Sequence, residues 1–375
     1  MTVLAVAAMS ARMMAEAAVR DGFEVIALDL FGDVDTCEAA SRWFSIGSGS
    51  ELRIDPALTL AALRVLAHRG GVSGWVAGGG FEGLPELVAQ GAAVLPLIGT
   101  QPAAIAAVRD PVRFFTFLAA LDIAHPRVQM RVPADPAGWL IKDANGCGGW
   151  QVHRAPPQGT QEAPPQHCYY QREQRGQAMS ATFVANGSDA VVLGFNEQIV
   201  NAFGQRPFVF CGVIGPVPLP PAAAGQVQRA VSALTAEFAL RGVCSLDFLL
   251  DGDGIAVLEV NPRPPASMAL YGELAPMAAH LRACQQGELP AAPSAAVPPR
   301  VQGSEVVFAQ GPLVLGQDAV MHLAAWPGVH DLPCAGGRFG PGDPVCSVSA
   351  SGSDAAQVRA LLSRSRTALL RSLET

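Results

Sequence analysis

Two short segments, far apart in the chain, hold the side chains best suited to handling charge on a small ligand. The first contains Lys142, the only lysine among 375 residues. It closes the apolar run Gly138-Trp139-Leu140-Ile141-Lys142 and is followed at once by Asp143-Ala144-Asn145-Gly146-Cys147-Gly148-Gly149-Trp150. Lysine is a compact point charge on a flexible stem, whereas arginine is a wide planar fork. A lysine beside a glycine-rich loop suits a phosphate, because glycine lets backbone amides approach an anion closely. The plain alternative is a surface lysine at a strand end. The second segment pairs Asp247 with Leu258-Glu259-Val260-Asn261-Pro262-Arg263-Pro264. Residues two apart on a strand point the same way, so Glu259 and Asn261 share a face. Pairing across Asp251-Gly252-Asp253-Gly254, a strong hairpin turn signal, can bring Asp247 onto it. Two carboxylates and an amide oxygen make a hard-cation site of the kind that holds Mg²⁺ together with phosphates. Arg263 falls on the same face and could clamp a phosphoryl group or a carboxylate. Here the alternative is two acids on the wet face of a hairpin.

These segments need elements to position them. Residues 1 to about 100 alternate strand and helix signals: strands at 3–8, 23–30, 73–77 and 94–98, helices at 10–20 and 58–68. That alternation predicts a parallel, doubly wound sheet, whose ligands bind at the carboxyl ends of the strands. Ser10, Arg12, Asp29 and the loop Gly78–Gly83 then lie near one crevice. A helix is expected over 111–121, strands at 168–171, 180–185 and 190–193, and an amphipathic helix over 226–240. The strands 243–250 and 255–260 form the hairpin. Residues 155–166 read as a Pro/Gln-rich loop, 285–300 as a Pro/Ala-rich linker, and 354–373 as a terminal helix.

The net charge of −7 argues against a nucleic-acid partner, which usually meets a basic patch. No run approaches the ~20 apolar residues of a membrane span. The first residues read as a strand, not a signal peptide. Eight cysteines at 37, 147, 168, 211, 244, 284, 334 and 346 form no C-x-x-C, and seven histidines form no H-x-x-x-H. Neither a zinc site nor a disulfide framework is expected, and scattered thiols suit a reducing cytoplasm. There is no Ser/His/Asp or Cys/His arrangement for covalent catalysis. Cys147 reads as a small loop filler, since nothing nearby would lower its pKa. A nicotinamide oxidoreductase built on the first domain lacks its G-x-G-x-x-G at Ala7-Ala8-Met9-Ser10-Ala11-Arg12.

Lys142 with Gly146-Cys147-Gly148-Gly149, the segment Tyr169-Tyr170-Gln171-Arg172-Glu173-Gln174-Arg175-Gly176 with Ser180, and Asp247…Glu259-Val260-Asn261-Pro262-Arg263 together resemble the ATP-grasp superfamily of carboxylate–amine ligases. Ser10-Ala11-Arg12, Asp29-Leu30-Phe31-Gly32-Asp33, Gly204-Gln205-Arg206-Pro207-Phe208 and Gly342-Asp343-Pro344-Val345-Cys346 resemble its branch of predicted ATP-dependent carboligases. The resemblance implies an α/β chain: a doubly wound pre-ATP-grasp domain over 1–100, an α+β ATP-grasp module over 101–285 with a lid at about 127–180, a linker over 286–302, and a β-rich C-terminal segment with a helix over 303–375. Residue by residue, it implies that Lys142 contacts ATP phosphates and that Gly146, Gly148 and Gly149 fold over them. Gln171, Arg172, Glu173 and Gln174 would hold the adenine edge. Asp247, Glu259 and Asn261 would hold Mg²⁺ or Mn²⁺, and Arg263 would sit at the transferred phosphoryl group.

Three departures stand out. The family's upstream lysine is matched only by Pro111 or Arg113, the first hinge residue is Gln171 where Glu is common, and the usual ribose-binding carboxylate is Ala178. The implied reaction turns a carboxylate into an acyl phosphate that an amine then attacks, with small-molecule acid and amine as partners. The branch suggests an amino acid in a cofactor pathway such as C1-carrier biosynthesis, and such ligases are often homodimers. Ser10, Arg12, Glu82, Arg206 and Arg263 are the substrate candidates, although Ser10 also suits a helix N-cap and Glu82 a helix cap. A carboxylase that activates bicarbonate and a non-catalytic ATP-binding protein are the alternatives.

Overall fold

A computed structural model describes residues 2–49, 51–157, 167–293 and 300–373. Most of the expected loop at 155–166, and residues 294–299 of the expected linker, lie outside the described residues. The fold is α/β. Its first sheet is parallel, in the spatial order Arg42–Ser45, Glu24–Asp29, Val3–Ala7, Val72–Ala77. Continuous apolar runs such as Val3-Leu4-Ala5-Val6-Ala7 suit strands covered on both faces. Leu4, Val6, Val25 and Ala27 pack with Met14 and Ala18 of the helix Arg12–Arg20 on one side. Ala5, Ala7 and Leu28 pack with Leu63 of the helix Pro56–Arg69 and with Trp75 on the other.

The strand expected at 94–98 does not form. The helix Pro85–Val94 runs into it, and a single bridge, Trp75 to Leu97, remains. Pro96 supplies a carbonyl to Trp75 but has no N–H to continue a ladder.

A small antiparallel sheet follows, in the order Val128–Gln129, Cys168–Arg172, Trp139–Asp143, Val152–Arg154. It sets Lys142 directly opposite Tyr169. The central sheet has eight strands, in the order Gly254–Asn261, Arg241–Asp251, Gln177–Asn186, Ala190–Phe203, Arg206–Val217, Val301–Phe308, Pro344–Gly352, Val329–His330. The strand Arg206–Val217, not foreseen from the sequence, joins the hairpin half to the C-terminal strands. A Cβ on Gly212 would stand 2.2 Å from the Ser304 carbonyl, so the pairing there needs glycine. The helix Pro221–Phe238 buries Val227, Val231 and Leu234 against Phe183 and Phe248. The helix Ala355–Leu373 covers the C-terminal strands with Val358, Leu362 and Leu369. Among the described residues no helix is long and apolar enough to cross a membrane.

Candidate active site

The hairpin turns at Gly252-Asp253, with Gly252 at φ +58° and Asp251 paired to Gly254. Regular pairing from that turn would set Asp247 opposite Leu258 and leave Glu259 on the other face. A β-bulge intervenes: Phe248 pairs with Val257, but Asp247 pairs with Glu259 and Ser245 with Asn261. The extra residue, Leu258, carries Asp247, Glu259 and Asn261 onto one face. The Asn261 Nδ2 donates to Asp247 Oδ2 at 3.1 Å, and Arg263 Nη2 donates to Asn261 Oδ1 at 3.2 Å. Burial, with the neighbouring Glu259 charge, pushes the Asp247 carboxyl up to about 7, against help from Gln198, Arg263 and Lys142. Two carboxylates side by side, with an amide oxygen next to them, form a donor set that a hard divalent cation would neutralise.

Lys142 is only 9% exposed, which removes the surface-lysine alternative. Its Nζ lies 3.7 Å from Glu259 Oε2 and 3.5 Å from Gln171 Oε1, over the Tyr169 ring. Burial works against its charge, but Tyr169 and Glu259 outweigh burial and hold the ammonium above its ordinary value. Gln171 is buried, and its Nε2 has no hydrogen-bond partner among the described residues. An orphaned buried donor beside a buried lysine could meet an acceptor atom of a ligand such as a nucleotide base. The Arg172 and Glu173 amides are already engaged, by Arg127 O at 2.8 Å and Gly138 O at 2.9 Å. Glu173 also pairs with Arg154, and Gln174 is exposed.

The upstream basic group in the site is Arg109. Pro111 opens the helix Pro111–Ala120, and Arg113 turns away to Glu237 and the Phe238 ring. Arg109, in the last turn of the helix Pro102–Arg109, donates to Ala144 O at 2.9 Å and to Gly146 O at 2.6 Å. Its Nη1 stands 3.8 Å from Glu259 Oε2. The sequence reading assigned no element between 98 and 111, so nothing there singled it out.

The glycine loop is therefore clasped from several sides. Phe210 N donates to Gly148 O at 2.9 Å. A Cβ on Gly149, which sits at φ +77°, would fall 1.8 Å from Phe208 O, and one on Gly83 would fall 2.3 Å from Asn145 O. Arg206 lies over the Trp150 ring at the end of this loop. Burial first, then Glu82, pushes the Cys147 thiol up to about 12, so it stays protonated and unreactive near neutral pH.

Glu82 joins the site but caps no helix. It accepts from Arg263 at 2.7 and 3.0 Å, and from Gly80 N at 2.6 Å. Burial works to raise its carboxyl, yet Arg263 takes it down to about 2. Ser10 and Arg12 lie elsewhere. Ala11 is the N-cap residue, and Ser10 Oγ donates to Asp331 at 3.3 Å. Arg12 pairs with Asp331 at 2.8 Å and Glu16 at 2.9 Å. The structure thus brings together Lys142, Arg109, Gln171, Asp247, Glu259, Asn261, Arg263 and Glu82 around the loop.

Comparisons with known proteins bear on the domain and the fold. A family model for the ATP-grasp domain matches residues 108–267. Among solved structures, an L-amino acid ligase from Bacillus licheniformis superposes with a TM-score of 0.70 at 16% identity, covering 98% of this chain and 97% of that one. N5-carboxyaminoimidazole synthetase from Staphylococcus aureus, complexed with ADP, gives 0.69 at 14% identity, covering 97% of both chains. Pyruvate carboxylase from Rhizobium etli gives 0.71 at 15% identity, covering 97% of this chain and 39% of that one. At such identities the likeness is one of fold. No curated protein matches by sequence.

Proposed function

This chain carries an ATP-grasp domain, and from that premise we propose that it is an ATP- and Mg²⁺-dependent ligase that joins a carboxylic acid to an amine. The observation that carries the proposal is the convergence of Asp247, Glu259 and Asn261 with three cations, Lys142, Arg109 and Arg263, beneath the glycine loop. A carboxylate is a poor electrophile because its charge repels a nucleophile. Moving the γ-phosphoryl group of ATP onto one of its oxygens releases ADP and leaves an acyl phosphate. The amine then attacks the acyl carbon, phosphate departs and the amine loses a proton. No enzyme nucleophile is required, which fits the protonated Cys147.

Asp247, Glu259 and Asn261 would hold Mg²⁺, which offsets phosphate charge when bound. The chain's own groups do the rest. Lys142 and Arg109 present fixed positive charge to phosphate oxygens in a largely buried setting, where such charge counts for more than in water. Arg263, oriented by Glu82, faces the transferred group. Gln171 Nε2 meets the base. The clasped loop excludes water, which would hydrolyse an acyl phosphate. The small sheet acts as the lid of the module. The acid and amine approach past the loop Gly78–Gly83, where Gly79 lies against Arg263.

ADP release should be followed with Mg-ATP across a panel of amino acids, other acids and amines, with bicarbonate as a separate arm. Release should require an acid and an amine together. Turnover with bicarbonate and an amine alone would mark a carboxylase. Nucleotide binding without turnover across the whole panel would mark a binding protein, and either result overturns the ligase assignment.

A further inference from the structure

Two thiols meet on the seam between the first domain and the C-terminal segment, apart from the hairpin. Cys37 sits on the short helix Val34–Ala39, and Cys334 lies between the strands Val329–His330 and Arg338–Phe339. We propose that the two form a reversible disulfide across this seam, made by exchange with a low-molecular-weight disulfide such as oxidised glutathione. No sequence spacing announces the pair, because its members are far apart in the chain.

Three observations carry the proposal. Both thiols are directed at one atom: Cys37 Sγ donates to Gly32 O at 3.5 Å, and Cys334 Sγ donates to the same oxygen at 3.6 Å. Rotation of either side chain between its staggered positions, a fast motion in an exposed residue, carries one sulfur towards the other. The second observation is that the two backbones are tied together beside the cysteines. Val34 N donates to Leu332 O at 2.8 Å, and Asp35 accepts from Asp331 N at 2.8 Å and from Leu332 N at 3.1 Å. Closing the bond therefore asks for side-chain rotation and not for movement of a domain. The third is access. Both cysteines are exposed, where a dissolved disulfide meets them. Cys244 and Cys284 are also neighbours, but Cys244 is fully buried, and burial pushes the Cys284 thiol up to about 12 and the Cys244 thiol further. That second pair stays protonated and out of reach.

The step balances as thiol–disulfide exchange. One cysteine thiolate attacks the small disulfide, a new S–S bond forms as the old one breaks, and one small thiolate leaves. The second cysteine thiolate attacks the protein sulfur of that mixed disulfide and expels the other small thiolate. The protein gives up two electrons and two protons, and the reagent becomes two thiols. Burial, then Cys334 and the carboxylates of Asp29, Asp33 and Asp35, hold the Cys37 thiol above its ordinary value, which slows its attack at neutral pH. Once formed, the bond ties the C-terminal segment to the first domain. It does not depend on the ligase assignment.

Full-length protein without nucleotide is incubated with excess oxidised glutathione at about pH 8.5, near the ordinary thiol value. It is then quenched with N-ethylmaleimide, digested with trypsin and analysed by mass spectrometry. One linked pair of peptides should appear, joining Cys37 to Cys334, with two of the eight thiols lost from the monomer. The link should vanish in Cys37→Ser and in Cys334→Ser, and because both residues are exposed the variants keep the fold. The linked protein should melt about 4 °C above the same protein after reduction with dithiothreitol, and neither variant should show that shift. Free thiols or glutathione at both positions without a link, a different pair linking first, or linkage between two copies of the chain would each overturn the assignment. Equal melting temperatures for linked and reduced protein would overturn the tie between the domains.

Discussion

Lys142 offers the most direct test of the proposed ligase site. Its ammonium lies 3.7 Å from a carboxylate oxygen in a largely buried setting. A unit charge about 4 Å away is worth about 4 kcal/mol at the effective dielectric suited to such sites. A phosphate oxygen occupying that neighbourhood gains on the same scale. At about 1.4 kcal/mol per factor of ten, full loss corresponds to about a thousandfold. Lys142→Met keeps the stem and removes the charge, so kcat/KM for ATP should fall by between about a hundredfold and a thousandfold. Lys142→Arg keeps the charge but forces a wide fork in beside Tyr169 and Gln171, and should cost at least about tenfold. ADP release at varied ATP, with circular dichroism to confirm folding, measures both. A folded Lys142→Met protein with near-normal kcat/KM would refute the electrostatic role, and a normal Lys142→Arg would refute the steric part of the reasoning.

Other expectations follow from the same geometry. The double variant Glu259→Gln with Asn261→Ala should abolish ADP release while circular dichroism stays unchanged, and retained activity would show the cation to be held elsewhere. Arg109→Ala should raise the KM for ATP about tenfold and speed proteolysis within 144–149, because two loop carbonyls lose their donor; Arg113→Ala, a surface pair, should change neither. Gly149→Ala should disable turnover with little change in melting temperature, since the added carbon meets Phe208 O at a positive φ; a fully active variant would show that the clasp is not needed. Burial lowers the His280 imidazole to about 4 in the folded chain, where it accepts from Val243 N and donates to Ile98 O. A folded-state value below the unfolded one means that stability is present above about pH 6.5 and is lost as pH falls towards 4, by up to about 3 kcal/mol. Thermal melts from pH 7 to 4 should show that loss, and His280→Gln, though less stable at neutral pH, should show a shallower decline.

Much of the site was legible in residue types. A lone lysine before glycines, a hinge segment and an acid–x–amide–Pro–Arg strand end carried their chemistry in short patterns, because each depends on neighbours one to four residues away. The parallel order of the first sheet followed from alternating elements for the same local reason. What failed to show depended on distant partners. Pro96 broke an apolar run that hydropathy alone favours. Arg109 lies in a stretch to which the sequence patterns assigned no element, and only the fold placed it against the glycine loop. Ser10 and Arg12 sit at the expected strand end but are drawn to Asp331, a partner from the far end of the chain.

The hairpin shows where the division falls. Composition and turn chemistry alone determined that Asp247, Glu259 and Asn261 lie on two strands joined by a tight Asp-Gly turn. Only the tertiary structure decided that they share a face. Side chains alternate along a strand, so one residue of register decides which side each takes, and the extra residue at Leu258 supplies that shift. Lys142 and Arg109 arrive from elements that no local pattern ties to the hairpin. Their meeting at Glu259 depends on how the small sheet and the helix Pro102–Arg109 are set against the hairpin, which is decided by long-range burial.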